Sequence, residues 1–128
     1  MKKVVSNARF SSDGSGGALT YTLELGSGGD ANKQLLVMVV VKQSTGANTR
    51  LYLQALHSPD GFRFTKHSDL FGTAGTPVAL NSDLLMVGQT DESLMLGDYL
   101  NLALQVSDSA ATSEQWILAD IYTSLKPF

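Results

Sequence analysis

Seven consecutive apolar residues, Leu35, Leu36, Val37, Met38, Val39, Val40 and Val41, narrow the folds open to this chain more than any other segment. Valines make up most of the run, and it falls far short of the roughly 20 apolar residues a membrane helix needs. As a strand it is apolar on both faces, so each face has to be covered by another layer or by a partner.

Elsewhere the chain alternates and shows almost no helical period. From Ala18 to Leu25, Leu19, Tyr21, Leu23 and Leu25 share a face, with Thr20, Thr22 and Glu24 opposite. From Thr49 to His57, Leu51, Leu53 and Ala55 oppose Arg50, Tyr52, Gln54 and Leu56. Between Tyr99 and Ser107 the alternation puts Leu100, Leu102, Leu104 and Val106 inward and Tyr99, Asn101, Ala103 and Gln105 outward. From Gln115 to Leu125, Ile117, Ala119, Ile121 and Thr123 oppose Trp116, Leu118, Asp120 and Tyr122. Val4 to Phe10 reads as a short first strand or an extended arm, and Phe62 with Phe64, then Leu84 to Val87, as short strands. Ser58-Pro59-Asp60-Gly61 is a turn, because proline presets φ and glycine accepts a positive one. Asp69 to Asn81 reads mostly as loop, and Asp91 to Gly97 as a turn or a single helical turn.

Roughly eight strands spaced about 8 to 15 residues apart predict an all-β fold, an antiparallel two-sheet β-sandwich, with a jelly roll as one form of it. A closed barrel is the alternative. The 128 residues fit one domain, with residues 1–10 an N-terminal arm or edge strand and 11–128 a single β-sandwich domain.

Charged residues make up only 16% of the chain, against a usual quarter or so, which leaves surface free for protein contacts. The net charge of -3, with Lys and Arg scattered singly, offers no stripe for a phosphate backbone, so no nucleic acid is expected as a partner. Cysteine is absent, which removes disulfides and thiolate chemistry. Met1-Lys2-Lys3-Val4-Val5 begins like an export signal, but Ser6, Asn7 and Arg9 interrupt it, so no secretion signal and no membrane association are expected.

Candidate chemistry is sparse. His57, Ser58, Asp60, His67, Ser68 and Asp69 supply the residue types of a hydrolase triad, yet no Gly-x-Ser-x-Gly elbow accompanies them. The same histidines with Asp60 or Asp69 match no standard metal spacing. Asp13 to Gly17 and Gly28 to Asn32 lack the alternating acidic oxygens of a calcium loop, and no Gly-Lys-Ser/Thr follows the glycines. These residues read as polar turns at strand ends: no enzyme, and no catalytic, cofactor or metal residues. The aromatics carry more. Trp116, Tyr122, Tyr52 and Tyr99 sit on the less regular faces of their strands, where they cover a sandwich edge, join a protein interface or stack on a sugar. With Phe10 on the first strand they are the interface candidates.

Leu51-Tyr52-Leu53-Gln54-Ala55-Leu56-His57-Ser58-Pro59-Asp60-Gly61-Phe62, followed by Leu96-Gly97-Asp98-Tyr99-Leu100-Asn101-Leu102, resembles small β-sandwich structural proteins of tailed bacteriophages. The resemblance spans Arg50 to Val106, about half the chain. Ser-x-Asp-Gly-x-aromatic turns also occur in discoidin-like carbohydrate-binding sandwiches, where Trp usually stands in place of Phe62 or Phe64. The phage resemblance implies a virion role, as a capsid decoration or cement protein or a related head or tail component, assembled in the host cytoplasm. It carries no site residues over. The implied partners are the chain itself, as a homo-oligomer with a trimer as the candidate symmetry, and a major capsid or other virion protein. A carbohydrate-binding module is the alternative.

Overall fold

The computed structural model describes residues 1–13, 18–45, 49–73, 76–79, 85–108 and 114–127. Its strands are β1 (Lys2–Ser11), β2 (Ala18–Ser27), β3 (Lys33–Ser44), β4 (Thr49–Ser58), β5 (Thr65–Phe71), β6 (Val78–Ala79), β7 (Leu85–Gln89), β8 (Tyr99–Asp108) and β9 (Trp116–Pro127). No described residue is helical.

Two antiparallel sheets form, one ordered β1-β9-β3-β7 and the other β2-β8-β4-β5, with β6 also on β4. β1 pairs with β9, β2 with β8, β3 with β7 and β4 with β5. The chain is thus one long hairpin rolled up so that successive strand pairs fall in alternate sheets. β9 then also pairs with β3, and β8 with β4, which completes each sheet. That is the jelly-roll form of the sandwich. No strand pairing among the described residues joins the sheets, so the barrel alternative falls.

The inward faces are those that alternation marked. Leu35, Val37, Val39 and Val41 of β3 meet Leu51 and Leu53 of β4, Leu100, Leu102, Leu104 and Val106 of β8, and Ile117 and Ile121 of β9, all fully buried. Each such side chain stabilises the fold by roughly 1.5–3 kcal/mol.

β1 is an edge strand along its whole length, and Phe10 sits in the core with its ring edge-on to Tyr21 at 5.1 Å. Losing residues 1–10 would therefore remove a strand and a core aromatic as well as any arm. The bulged stretch of β1 places Asn7 at a φ of 49°, and its N–H donates to Asp120 Oδ1 at 2.8 Å. Lys42 and Lys3 approach the other carboxylate oxygen at 3.1 and 3.5 Å. Together these satisfy a nearly buried charge on the outer face of β9.

Two local expectations change. Phe62 and Phe64 lie ahead of β5 and in no strand, because Ser58 and Asp60 capture the backbone of the turn there. β5 reaches Phe71, and a short β6 follows, where mostly loop was expected. On β3 the second sheet covers one face, and Leu36, Met38 and Val40 on the outer face are only partly exposed, in keeping with a strand that needs a layer or a partner on each side.

Candidate functional site

Three connections meet at one end of the sandwich: β2 to β3, β4 to β5 and β7 to β8. The N–H groups of Gly28 and Gly29 both donate to the Asp98 carbonyl at 3.0 Å. Gly29 lies so close to the Gly97 carbonyl that a Cβ would collide with it. At the base, the Thr90 N–H donates to the Leu35 carbonyl at 2.9 Å, its carbonyl accepts from the Gln34 side-chain amide at 2.9 Å, and its hydroxyl accepts the Leu35 N–H at 3.0 Å.

Two histidines fasten the segment from residue 91 to residue 98. His57 Nδ1 accepts the Gly97 N–H at 2.9 Å, so its own proton is on Nε2. His67 Nε2 donates to the Leu94 carbonyl at 3.1 Å, and its Nδ1 lies in hydrogen-bond contact with the Ser68 hydroxyl at 2.9 Å. Burial, and secondarily the neighbouring His67, lower the His57 pKa below the ordinary histidine value.

The β4 to β5 turn is held rigidly. The Ser58 hydroxyl accepts the N–H groups of Gly61 and Asp60 at 2.9 and 3.2 Å and donates to Asp60 Oδ1. That carboxylate oxygen also accepts the N–H groups of Phe62 and Arg63 at 2.9 and 3.0 Å, and these bonds hold the Asp60 pKa below the usual range. Phe62 rides on this turn 89% exposed.

Behind the turn lies a cleft of about 140 Å3 lined by Glu24, Gly26, Gly61, Phe64, Tyr99 and Asn101. Glu24 and Asn101 are direct cross-strand partners on the outer face of the five-stranded sheet. Next to them a bulge sets Gly26 at a φ of 79°. Gly61, at a φ of 82°, lies flat on the Tyr99 ring, where a Cβ would come within 3.2 Å of it. Asn101 is 8% exposed, and its side-chain amide has no hydrogen bond to any described residue.

The residues considered for chemistry divide differently. The two imidazoles stand edge to face, with ring centroids 4.8 Å apart. Asp60 serves its own turn, and Asp69 accepts from Tyr52 at 2.6 Å and Lys66 at 2.9 Å. No Ser-His-Asp relay links them, and no group of three or more His, Cys, Asp or Glu among the described residues could hold a metal. Of the two glycine segments compared with calcium loops, residues 14–17 lie outside the described residues, and Asp30 accepts the Asn32 N–H within the other.

The aromatic candidates also separate. Phe10 and Tyr52 are buried, at 4% and 5% exposure, Tyr52 beneath its bond to Asp69. Burial, and then that bond, raise the Tyr52 pKa. Trp116 is half-buried with the Arg9 guanidinium 5.0 Å from its ring centre, and Tyr122 is half-buried with Lys3 Nζ at 5.4 Å. Tyr99 keeps 36% of its surface exposed. Missing from the sequence reading were Phe62 and the pair Leu85 and Val87, which are 51% and 55% exposed on β7. Their register beside Val40 and Met38 extends the apolar outer face of β3 to the sheet edge. On the other side of Met38 the patch continues into Tyr122.

No family model and no curated protein matches the chain. Among solved structures, one of infectious bursal disease virus, Gx strain, superposes with a TM-score of 0.57 at 15% identity, over 98% of this chain and 30% of that one. The VP2 subviral particle of the same virus gives 0.57 at 14%, over 96% of this chain and 31% of that one. The empty capsid of Triatoma virus gives 0.52 at 9%, over 98% of this chain and 88% of that one. This chain shares its fold with viral capsid proteins. It spans about a third of the length of the bursal disease virus chains.

Proposed function

We propose that this chain is a non-enzymatic structural virion protein that associates with copies of itself and packs on a protein lattice. The observation that carries the reading is the apolar strip on the outer face of the four-stranded sheet, where Leu85 and Val87 are more than half exposed beside Leu36, Met38 and Val40. Contiguous apolar surface of this kind is uncommon on a protein that works alone. A closed symmetric assembly uses such a patch many times over. The fold likeness supports the reading, since jelly rolls serve repeatedly as capsid domains.

In finer terms, the proposal is a capsid decoration or cement protein, or a related head or tail component, of a tailed bacteriophage. It would be a homo-oligomer, with a trimer as the candidate symmetry, bound to a major capsid protein and located in the virion after assembly in the host cytoplasm. Tyr122, at the border of the strip, and Trp116, on the same face of β9, are its aromatic contacts, and Tyr99 with Phe62 marks the loop end.

Sedimentation at tens of micromolar tests it. A species larger than the monomer is expected, shifted toward monomer by Val87→Lys, and a wild-type protein that sediments as a monomer overturns the proposal.

A further inference from the structure

Buried amides without partners are rare, because stripping water from one without replacing its hydrogen bonds costs roughly 1–3 kcal/mol. The Asn101 side chain is such a group, 8% exposed and unpaired among the described residues, and it borders a cleft. Across the strand pair stands Glu24, a carboxylate with no described partner. Directly opposed residues of an antiparallel pair have Cβ atoms about 4.5–5.5 Å apart, so one small group can touch both side chains. The remaining walls are the rings of Tyr99 and Phe64, Leu100, and two glycines that leave the entrance uncrowded.

We infer that this cleft is a binding site for a single neutral sugar ring, with Asn101 and Glu24 taking its hydroxyls and Tyr99 and Phe64 taking its C–H face. The chemistry selects the class. A hydroxyl can donate to the carboxylate and accept from the amide at once, a combination that an anion cannot make beside Glu24. A metal cation would need further oxygen ligands, and the described residues gather no such group. Aromatic rings suit the apolar C–H face of a pyranose, and a cleft of about 140 Å3 limits the occupant to something small. Both sides of the site are preorganised. The turn hydrogen bonds fix Gly61 against Tyr99, and the bulge at Gly26 shapes the opposite rim. This site does not depend on the apolar strip, so it stands or falls separately from self-association.

The test uses the full chain and a panel of neutral methyl hexopyranosides and N-acetylhexosaminides at millimolar concentration, read by saturation-transfer NMR and amide shift mapping. At least one glycoside should receive saturation and shift the Asn101 side-chain amide together with the Tyr99 backbone. Glu24→Gln, on an exposed residue, should stay folded and bind about fivefold or more weakly, as should Asn101→Ala. Val87→Lys should leave sugar binding unchanged whatever it does to oligomeric state. A panel without saturation transfer overturns the inference. So does binding that survives both cleft substitutions, or shifts that map away from the cleft.

Discussion

His57 and His67 stand edge to face, 4.8 Å between ring centroids, and each holds a backbone group of the same connecting segment. His57 acts in its neutral form. His57 cannot take a second proton without losing the Gly97 N–H from Nδ1. The groups around the pair are few: Asp91 faces His67, and His67 is the charge that acts on His57.

A pH effect on stability follows. His57 titrates below the ordinary histidine value of 6.5 because of burial and then His67. Between those two values the unfolded chain binds a proton that the folded chain refuses, so this stability is complete above 6.5 and is lost as pH falls toward the depressed value. His57→Asn offers Gly97 an acceptor that does not titrate. Thermal melts across this range should show a shallower acid slope in the variant, and identical slopes would count against the latch.

Asp120 behaves oppositely. The Asn7 N–H, and then Lys42 and Lys3, hold its pKa below the ordinary carboxylate value of 3.8. Its contribution is present above 3.8 and disappears as pH falls through the depressed value. Asp120→Asn should be less stable than wild type at neutral pH, with the gap closing in strong acid. Denaturant titrations at several pH values measure that convergence.

Leu102 is fully buried between the sheets. Leu102→Ala should cost about 2–5 kcal/mol, a large part of a typical domain's stability, as measured by urea unfolding. A loss under 1 kcal/mol would contradict the inward facing of β8.

Gly29→Ala should destabilise by about 1–3 kcal/mol, since the added methyl meets the Gly97 carbonyl and the loop end has to shift. Calorimetry would report it, and a neutral result would mean that the two connections are not in contact.

Phe62 makes its turn with backbone only, so Phe62→Ala should change stability by no more than about 0.5 kcal/mol. Asp60→Ala should instead speed amide exchange at Phe62 and Arg63, whose N–H groups lose their acceptor.

Facing was legible in the sequence because period-2 alternation is written residue by residue: Leu100, Leu102, Leu104 and Val106 are inward and Asn101 outward, as read. Strand order was not, because β9 inserts between β1 and β3 through register choices that no local pattern encodes. The apolar run of β3 called for a layer or a partner on each face; the second sheet covers one, and Leu36, Met38 and Val40 on the other are only partly exposed. Phe62 was misread because an alternating Phe-x-Phe looks like a strand until the Ser58 and Asp60 oxygens claim the amides. The cleft escaped notice for a related reason: Glu24 and Asn101 are far apart in sequence and meet only through the β2–β8 register.

The rolled hairpin also governs when the molecule can form. β1 needs β9, which lies far along the chain from it, and β9 is the only described bridge between β1 and β3. β1 and β3 cannot complete their sheet until residues 116–127 are available, and contacts this distant in sequence should make folding slow.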